Sequence, residues 1–403
     1  MIASKLILTR YEKGVLSLIL KNNRIQEISY SREDDHGNLG DIYVAKVMNV
    51  VPNIHAAFLD YQVGKRGYLP IADNYKPVLL NRQYDGRILA GDEILVQMEK
   101  EAIRSKEPVF TTNLSLSGKY CVVTNANTTK SVSNKLNKQD KALLRTYIPS
   151  DTEYGIVVRT NAKELIEQND FSALTTECSH LITQMNQLLT EGIHRTCYSK
   201  VYQATPSYLM ELRDNRSLEY DQIITDDTVL YGELQSFIQS YMPEKEALLS
   251  LYTDESLSLH KLYSLENKIQ ELLQPKVWMN SGAYLVIEQT EAMYVIDVNS
   301  GKNTPKKKSD SYILSINLEA AKEIMRQIRL RNLSGIIIVD FINMEEETMQ
   351  EQLMQELKAL ARLDRIQTTI VDMTPLGLIE ITRKKTKKAL KAQFASSNQL
   401  KFI

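Results

Sequence analysis

The segment AMYVIDVNSGKN, residues 292–303, ends an apolar run in Asp297 and places Asn299 two positions later. GIIIVDFINM, residues 335–344, repeats the arrangement: Asp340 closes Ile336, Ile337, Ile338 and Val339, and Asn343 follows. A carboxylate at the end of a buried strand is costly unless something compensates it. Between the two runs, residues 313–330 set Leu314, Leu318, Ala321, Met325 and Ile328 on one helical face. Upstream, AYLVIEQT (283–290) pairs with AMYVIDVN as a hairpin, and downstream a helix over 345–363 precedes IQTTIVDM (366–373). The pattern predicts β-α-β-α-β order, with GIIIVDFI a strand buried on both faces.

Strand, helix, strand in that order makes the two Asp strands parallel, each with its carboxylate at the C-terminal end. Neighbouring strands lie about 5 Å apart, so both carboxylates can approach one cation. Asp297, Asn299 and Asp340 all offer hard oxygen, which suits Mg²⁺, an ion that takes one or two carboxylates and completes its shell with water and phosphate oxygens. Either Asp taken alone more often caps a loop or pairs with a cation such as Lys302 or Arg329; their recurrence at matching strand ends favours the metal.

Working outward, residues 40–70 alternate apolar and polar side chains around Pro52-Asn53 and Gly64, predicting three antiparallel strands. AGDEILVQME (90–99) adds a strand and KYCVV (119–123) a fifth, which together suggest a small closed barrel of the OB kind. Its Phe58, Tyr61 and Tyr68, with Lys65, Arg66, Lys100 and Lys106, combine aromatic faces with positive charge, as single-stranded nucleic acid requires. Phe58 by itself fits a core position equally well. The Asn-, Thr-, Ser- and Lys-rich stretch 124–149 reads as a mobile loop, YGIVVRT (154–160) as a strand, and 256–273 as a helix with Leu257, Leu259, Leu262, Leu265, Ile269 and Leu272 on one stripe.

The chain has 403 residues, 43% hydrophobic and 25% charged, which is an ordinary multi-domain globular composition. No uninterrupted apolar stretch approaches the ~20 residues of a membrane span, so no membrane partner and a cytoplasmic location are expected. Cys121, Cys178 and Cys197 are odd in number, widely spaced and form no Cys-x-x-Cys, so they read as reduced thiols. The net charge of −1 hides basic runs, KNTPKKKSD (302–310) and RKKTKKALK (383–391), and an acidic one, MEEETMQE (344–351). Lys306, Lys307 and Lys308 can steer an anionic polymer toward the carboxylates, although such lysines more often form a solvated loop.

These stretches resemble the bacterial ribonuclease E/G family along nearly the whole chain, most specifically in TEAMYVIDVNSGK and NLEAAKEIMRQIRLRNLSGIIIVDFINM. The resemblance implies an α/β multi-domain fold. An RNase-H-like scaffold (1–35 and 206–277) carries an inserted S1-type OB barrel (36–120) and a 5′-phosphate-sensor region (121–205). A DNase-I-like metal-binding subdomain (278–392) and a tail (393–403) follow. It also implies an endoribonuclease of single-stranded RNA, acting in ribosomal RNA processing or mRNA decay. Asp297 and Asp340 would bind Mg²⁺, with Mn²⁺ as a substitute, and Asn299 would orient a ligand. A metal-activated water would leave 5′-phosphate and 3′-hydroxyl ends.

Further roles carried by the resemblance are RNA contacts at Phe58, Tyr68, Lys100 and Lys106, and 5′-monophosphate binding at Arg159 and Thr160. Where the family has an Arg-rich sensor segment this chain has VSNKL (132–136), and Lys lacks the bidentate geometry of Arg, so weaker end-sensing is expected. The family's Cys-Pro-x-Cys zinc link does not appear before Ile403, so zinc is not expected, and a homodimer would use a zinc-independent interface. The competing reading is a non-cleaving RNA-binding factor in ribosomal RNA maturation.

Overall fold

Alternating burial along Met293–Asn299 shows how the carboxylate strand is built: Tyr294, Ile296 and Val298 enter the core while Asp297 faces out. The computed structural model describes residues 4–32, 39–71, 77–102, 106–214, 220–301, 310–386 and 388–394. Lys302 and Lys306–Lys308 lie outside them. The chain divides into two compact units, residues 1–32, 219–233 and 247–403 in one and 33–218 with 234–246 in the other.

In the first unit, the chain after residue 275 forms a sheet of β1 (Lys276–Trp278), β2 (Tyr284–Gln289), β3 (Met293–Asn299), β4 (Gly335–Asp340), β5 (Thr368–Met373) and β6 (Leu378–Arg383), in the order β1-β2-β3-β4-β6-β5. The β3 and β4 strands run parallel and every other neighbouring pair is antiparallel. Helices α1 (Asp310–Leu330) and α2 (Glu347–Arg362) share one core with it: Ile316, Ala320, Ile324, Leu353 and Leu357 pack with Ile296, Ile337, Val339, Ile379 and Ile381. The predicted two-sided burial of β4 does not hold. Ile337 and Val339 are buried, but Ile336 and Asp340 are exposed, because both helices cover the same face.

The same unit holds a second, five-stranded sheet, ordered Leu249–Leu251, Gln222–Thr225, Ser4–Tyr11, Gly14–Lys21, Arg24–Arg32. The helix expected over 256–273 is two helices, Leu259–Leu262 and Leu265–Leu273, because Ser264 takes a left-handed conformation (φ 51°) between them. Leu257 and Leu262 are consequently exposed.

The second unit contains a closed five-stranded barrel: Ile42–Val51, Ala56–Gln62, Lys65–Pro70, Val109–Thr111 and Glu93–Lys100, the last pairing back to the first. Its fifth strand is Val109–Thr111 and not KYCVV. Cys121–Thr124 instead joins a separate sheet with Ser115–Ser117, Gly155–Val158 and Lys130–Val132, where Cys121 and Val123 are buried under the helix Ser172–Gly192. The stretch 124–149 is thus ordered, with a strand at Lys130–Val132 and a helix at Lys138–Arg145 whose N-cap Asn137 accepts from the Asp140 N–H. Cys121 and Cys178 are free buried thiols with Sγ atoms 3.3 Å apart.

Tyr61, expected on the surface, is 1% exposed and lies against Tyr43 and Phe110 in the barrel core. Close packing there also explains Gly67. A Cβ at this position would stand 2.5 Å from the Phe110 ring and 3.0 Å from Leu59. Gly67→Ala should therefore cost about 1–3 kcal/mol through overpacking, read as a lower denaturation midpoint of the unit; an unchanged midpoint would refute this packing account.

Candidate functional site

The register of β3 and β4 pairs Asp297 with Asp340 directly. Residues so paired project to the same face, and both carboxylates are exposed on the side of the sheet that α1 and α2 leave open. Among the described residues, neither forms an ion pair, with Arg329 or any other cation. Asn299 sits two positions further along the same face and donates its Nδ2 hydrogen to Asp297 Oδ2 (2.6 Å), which fixes the orientation of that carboxylate. The structure thus brings Asp297, Asn299 and Asp340 together.

Two features hold this end of the sheet. After β3 the chain turns at Gly301 (φ 72°), where a Cβ would meet the Gly282 carbonyl oxygen at 2.3 Å, so the turn can close only around glycine. After β4, Asn317 on α1 is fully buried; its Nδ2 donates to the Ile342 carbonyl (2.7 Å) and its Oδ1 accepts from the Ile342 N–H (3.2 Å). A buried amide satisfied on both sides pins the backbone two residues beyond Asp340. Sequence reading missed Asn317, although a lone amide inside an apolar helical stripe is the signal that could have found it.

Like charges directly opposite each other on neighbouring strands are unfavourable. This pair has no cationic partner among the described residues, and its donors are two carboxylates and an amide. Among the described residues no three or more His, Cys, Asp or Glu side chains gather for a metal, here or elsewhere, so this site offers two carboxylates and an amide. Two carboxylates are the usual protein share of a Mg²⁺ shell, so the residues present fit that ion.

On the barrel, one row crosses four strands. Phe58 pairs with Tyr68, Tyr68 with Val109, and Val109 with Lys100. The Phe58 and Tyr68 rings are half-buried with centroids 5.8 Å apart at 67°, and Lys100 is exposed at the end of the row. Lys106 is exposed in the connection between the strands Glu93–Lys100 and Val109–Thr111. This row is a partly exposed aromatic surface with a cation at one end.

Arg159 and Thr160 follow the strand Gly155–Val158. The Arg159 guanidinium grips Asp214 with two bonds (Nη1 to Oδ1 2.9 Å, Nη2 to Oδ2 2.6 Å) and donates from Nη1 to the Gly118 carbonyl (2.7 Å). Burial disfavours the Asp214 carboxylate, but hydrogen bonds from Arg159 and Arg213 outweigh it and hold its pKa below the usual range. The exposed Thr160 hydroxyl lies 2.9 Å from Ser133 Oγ, beside the exposed Asn134 and Lys135. Glu177, another residue without a motif, accepts from the backbone N–H groups of Lys119, Tyr120 and Cys121, holding the turn that offers the Gly118 carbonyl.

The Ribonuclease E/G family profile matches residues 115–386 of the sequence. The chain is similar to Ribonuclease G of Salmonella typhimurium (strain SL1344), 30% identical over 379 residues, spanning 91% of this chain and 76% of the relative. It is also similar to Ribonuclease G of Haemophilus influenzae, 29% identical over 385 residues (92% and 77%). Ribonuclease E of Synechocystis sp. is 32% identical over 385 residues, covering 93% of this chain and 56% of that enzyme.

Proposed function

Since this chain belongs to the ribonuclease E/G family, we propose that it is a Mg²⁺-dependent endoribonuclease that hydrolyses single-stranded RNA to 5′-phosphate and 3′-hydroxyl ends. The observation that carries this reading is the direct pairing of Asp297 with Asp340 on an open sheet face, with no cation to neutralise them among the described residues. A divalent ion held there supplies Lewis-acid polarisation of the phosphodiester and activation of a water nucleophile.

The rest is the work of the chain itself. Asp297 and Asp340 hold the ion, and Asn299 keeps the Asp297 carboxylate aimed. The sheet that carries them is the DNase-I-like subdomain of the family, and the five-stranded sheet of the same unit belongs to its RNase-H-like scaffold. The barrel is the S1-type OB domain: Phe58 and Tyr68 stack with bases, while Lys100 and Lys106 bind phosphates. Arg159 and Thr160 take a 5′-monophosphate. With three donor bonds already committed by Arg159, the phosphate is met by its remaining N–H groups, by the Thr160 hydroxyl and by Lys135, so end-dependence should be modest. No helix among the described residues is long and apolar enough to cross a membrane.

Incubating a 5′-labelled single-stranded RNA with the protein in Mg²⁺ or in EDTA tests the reading. Fragments ending in 3′-hydroxyls should form with Mg²⁺, or with Mn²⁺ as substitute, and should vanish in EDTA. Binding without Mg²⁺-dependent fragments would instead identify an RNA-binding factor.

A further inference from the structure

The open face that carries the carboxylates has a second group of side chains. Lys276 and Trp278 on the edge strand β1 pair with Val286 and Tyr284 on β2. These in turn pair with Asp297 and Asn299 on β3. Two parallel rows result: Lys276, Val286, Asp297 and Asp340 in one, and Trp278, Tyr284 and Asn299 in the next. From Trp278 to Asn299 is two strand spacings, about 10 Å.

Trp278 is 64% exposed, a large apolar surface left in water at the rim of an acidic site. Its ring lies 5.0 Å from that of Tyr284 at 57°. The Lys276 ammonium stands 4.1 Å from the Trp278 centroid and 3.7 Å from the Tyr284 centroid, so it packs against both rings. Cation–π contact of this kind fixes ring orientation at small energetic gain for an exposed group. What remains open is a face of Trp278, with a positive charge next to it, in the row adjoining the candidate cutting site.

We propose that Trp278, propped by Lys276 and Tyr284, is a stacking platform for a base of single-stranded RNA that flanks the cut bond, with Lys276 drawing the neighbouring phosphate. Stacking on an aromatic face is tolerant of sequence, and the cation beside it complements a polyanion, which distinguishes this occupant from a second copy of the chain. The inference rests on the nuclease reading and adds a positioning surface to it. Such a surface holds the strand in register over Asp297 and Asp340, so its loss should raise KM more than it lowers kcat.

Trp278 is the only tryptophan of the chain, so its fluorescence reports on this surface alone. Titration with a 2′-O-methyl RNA decamer in EDTA, with saturation followed by anisotropy of the labelled decamer, should quench the emission and protect Trp278 from iodide. Trp278→Ala should weaken decamer binding roughly 5- to 150-fold, the range of one lost base stack, and Trp278→Phe should restore most of it. Unchanged emission at saturation, or unchanged affinity in Trp278→Ala, overturns the platform, as does quenching that depends on protein concentration without RNA. The two readings fail separately. RNA cut in Mg²⁺ with silent Trp278 emission removes only the platform, whereas quenching by RNA that is never cut removes the nuclease and leaves Trp278 as a stacking surface with no cut bond beside it.

Discussion

Replacing Asp297 or Asp340 by Asn should slow RNA cleavage by on the order of 10³-fold while leaving the fold intact. The substitution is nearly isosteric and removes one of the two negative charges that face each other across β3 and β4. A bound divalent ion supplies several kcal/mol of transition-state stabilisation, and about 1.4 kcal/mol corresponds to a factor of ten in rate. Opposed like charges cost the folded sheet roughly 0.2–1 kcal/mol, so each variant should be at least as stable as the parent without divalent ions. A purely structural role predicts the reverse, with stability and activity lost together. The checks are initial rates on a labelled single-stranded RNA at saturating Mg²⁺, together with thermal unfolding in EDTA and in Mg²⁺. Added Mg²⁺ should raise the melting temperature of the parent and much less that of either variant. Turnover within tenfold of the parent would overturn the proposal that these residues hold a metal.

Asp364→Ala should be the most damaging substitution away from the site, destabilising the unit by about 3–5 kcal/mol because it leaves a buried guanidinium without its counter-charge. The side chains of Asp364 and Arg383 are 2% and 3% exposed, with Arg383 Nε 2.8 Å from Asp364 Oδ2. Arg383 also donates from Nη1 to Asn332 Oδ1 and to the Leu333 carbonyl, tying the end of β6 to the turn that launches β4 and therefore Asp340. Asp364 accepts in addition from Thr368 Oγ1 and the Ile366 N–H. Burial opposes its ionisation, but Arg383 and these donors outweigh it, so its pKa is depressed. A depressed carboxylate contributes stability that is fully present above its unfolded pKa, near ~4, and is lost as pH falls through the lower folded value. The stability gap between parent and variant, measured by urea unfolding, should thus be full at neutral pH and shrink in acid below pH ~4. A gap that stays constant with pH would contradict the ion-pair account. The double variant Asp364→Leu, Arg383→Met should recover only part of the loss: it removes the unpaired guanidinium charge, but the Leu333 carbonyl and the Ile366 N–H lose their partners.

Much of this site is legible before any folding is known. The apolar runs into Asp297 and Asp340, with a helical stripe between them, specify two neighbouring strands and the interval that makes them parallel. What they do not specify is which face is open. The run Ile336–Val339 reads as buried on both sides because periodicity cannot separate a strand covered twice from one whose free face is merely half-covered. In the barrel, strong alternation over 40–70 exposes the first three strands. The fifth escapes, since Val109–Thr111 is only three residues long and its one buried side chain, Phe110, carries no pattern. Tyr61 and Tyr68 look alike in sequence, and it is register alone that sends the first into the core and the second to the surface.

The chain's order of residues already committed it to paired carboxylates at matching strand ends, because period-two burial and a helix-length interval are local properties. Three-dimensional packing was needed for everything that depends on partners remote in sequence. The helices α1 and α2 had to choose one face for Asp297 and Asp340 to share the other. Asn317 had to find Ile342, and Arg159 had to find Asp214 before its spare donors could be counted. Trp278 came into one row with Asn299 only through two successive strand registers. Such contacts form between groups that no sequence window contains, and their energies exist only once the chain has closed the loops that separate them.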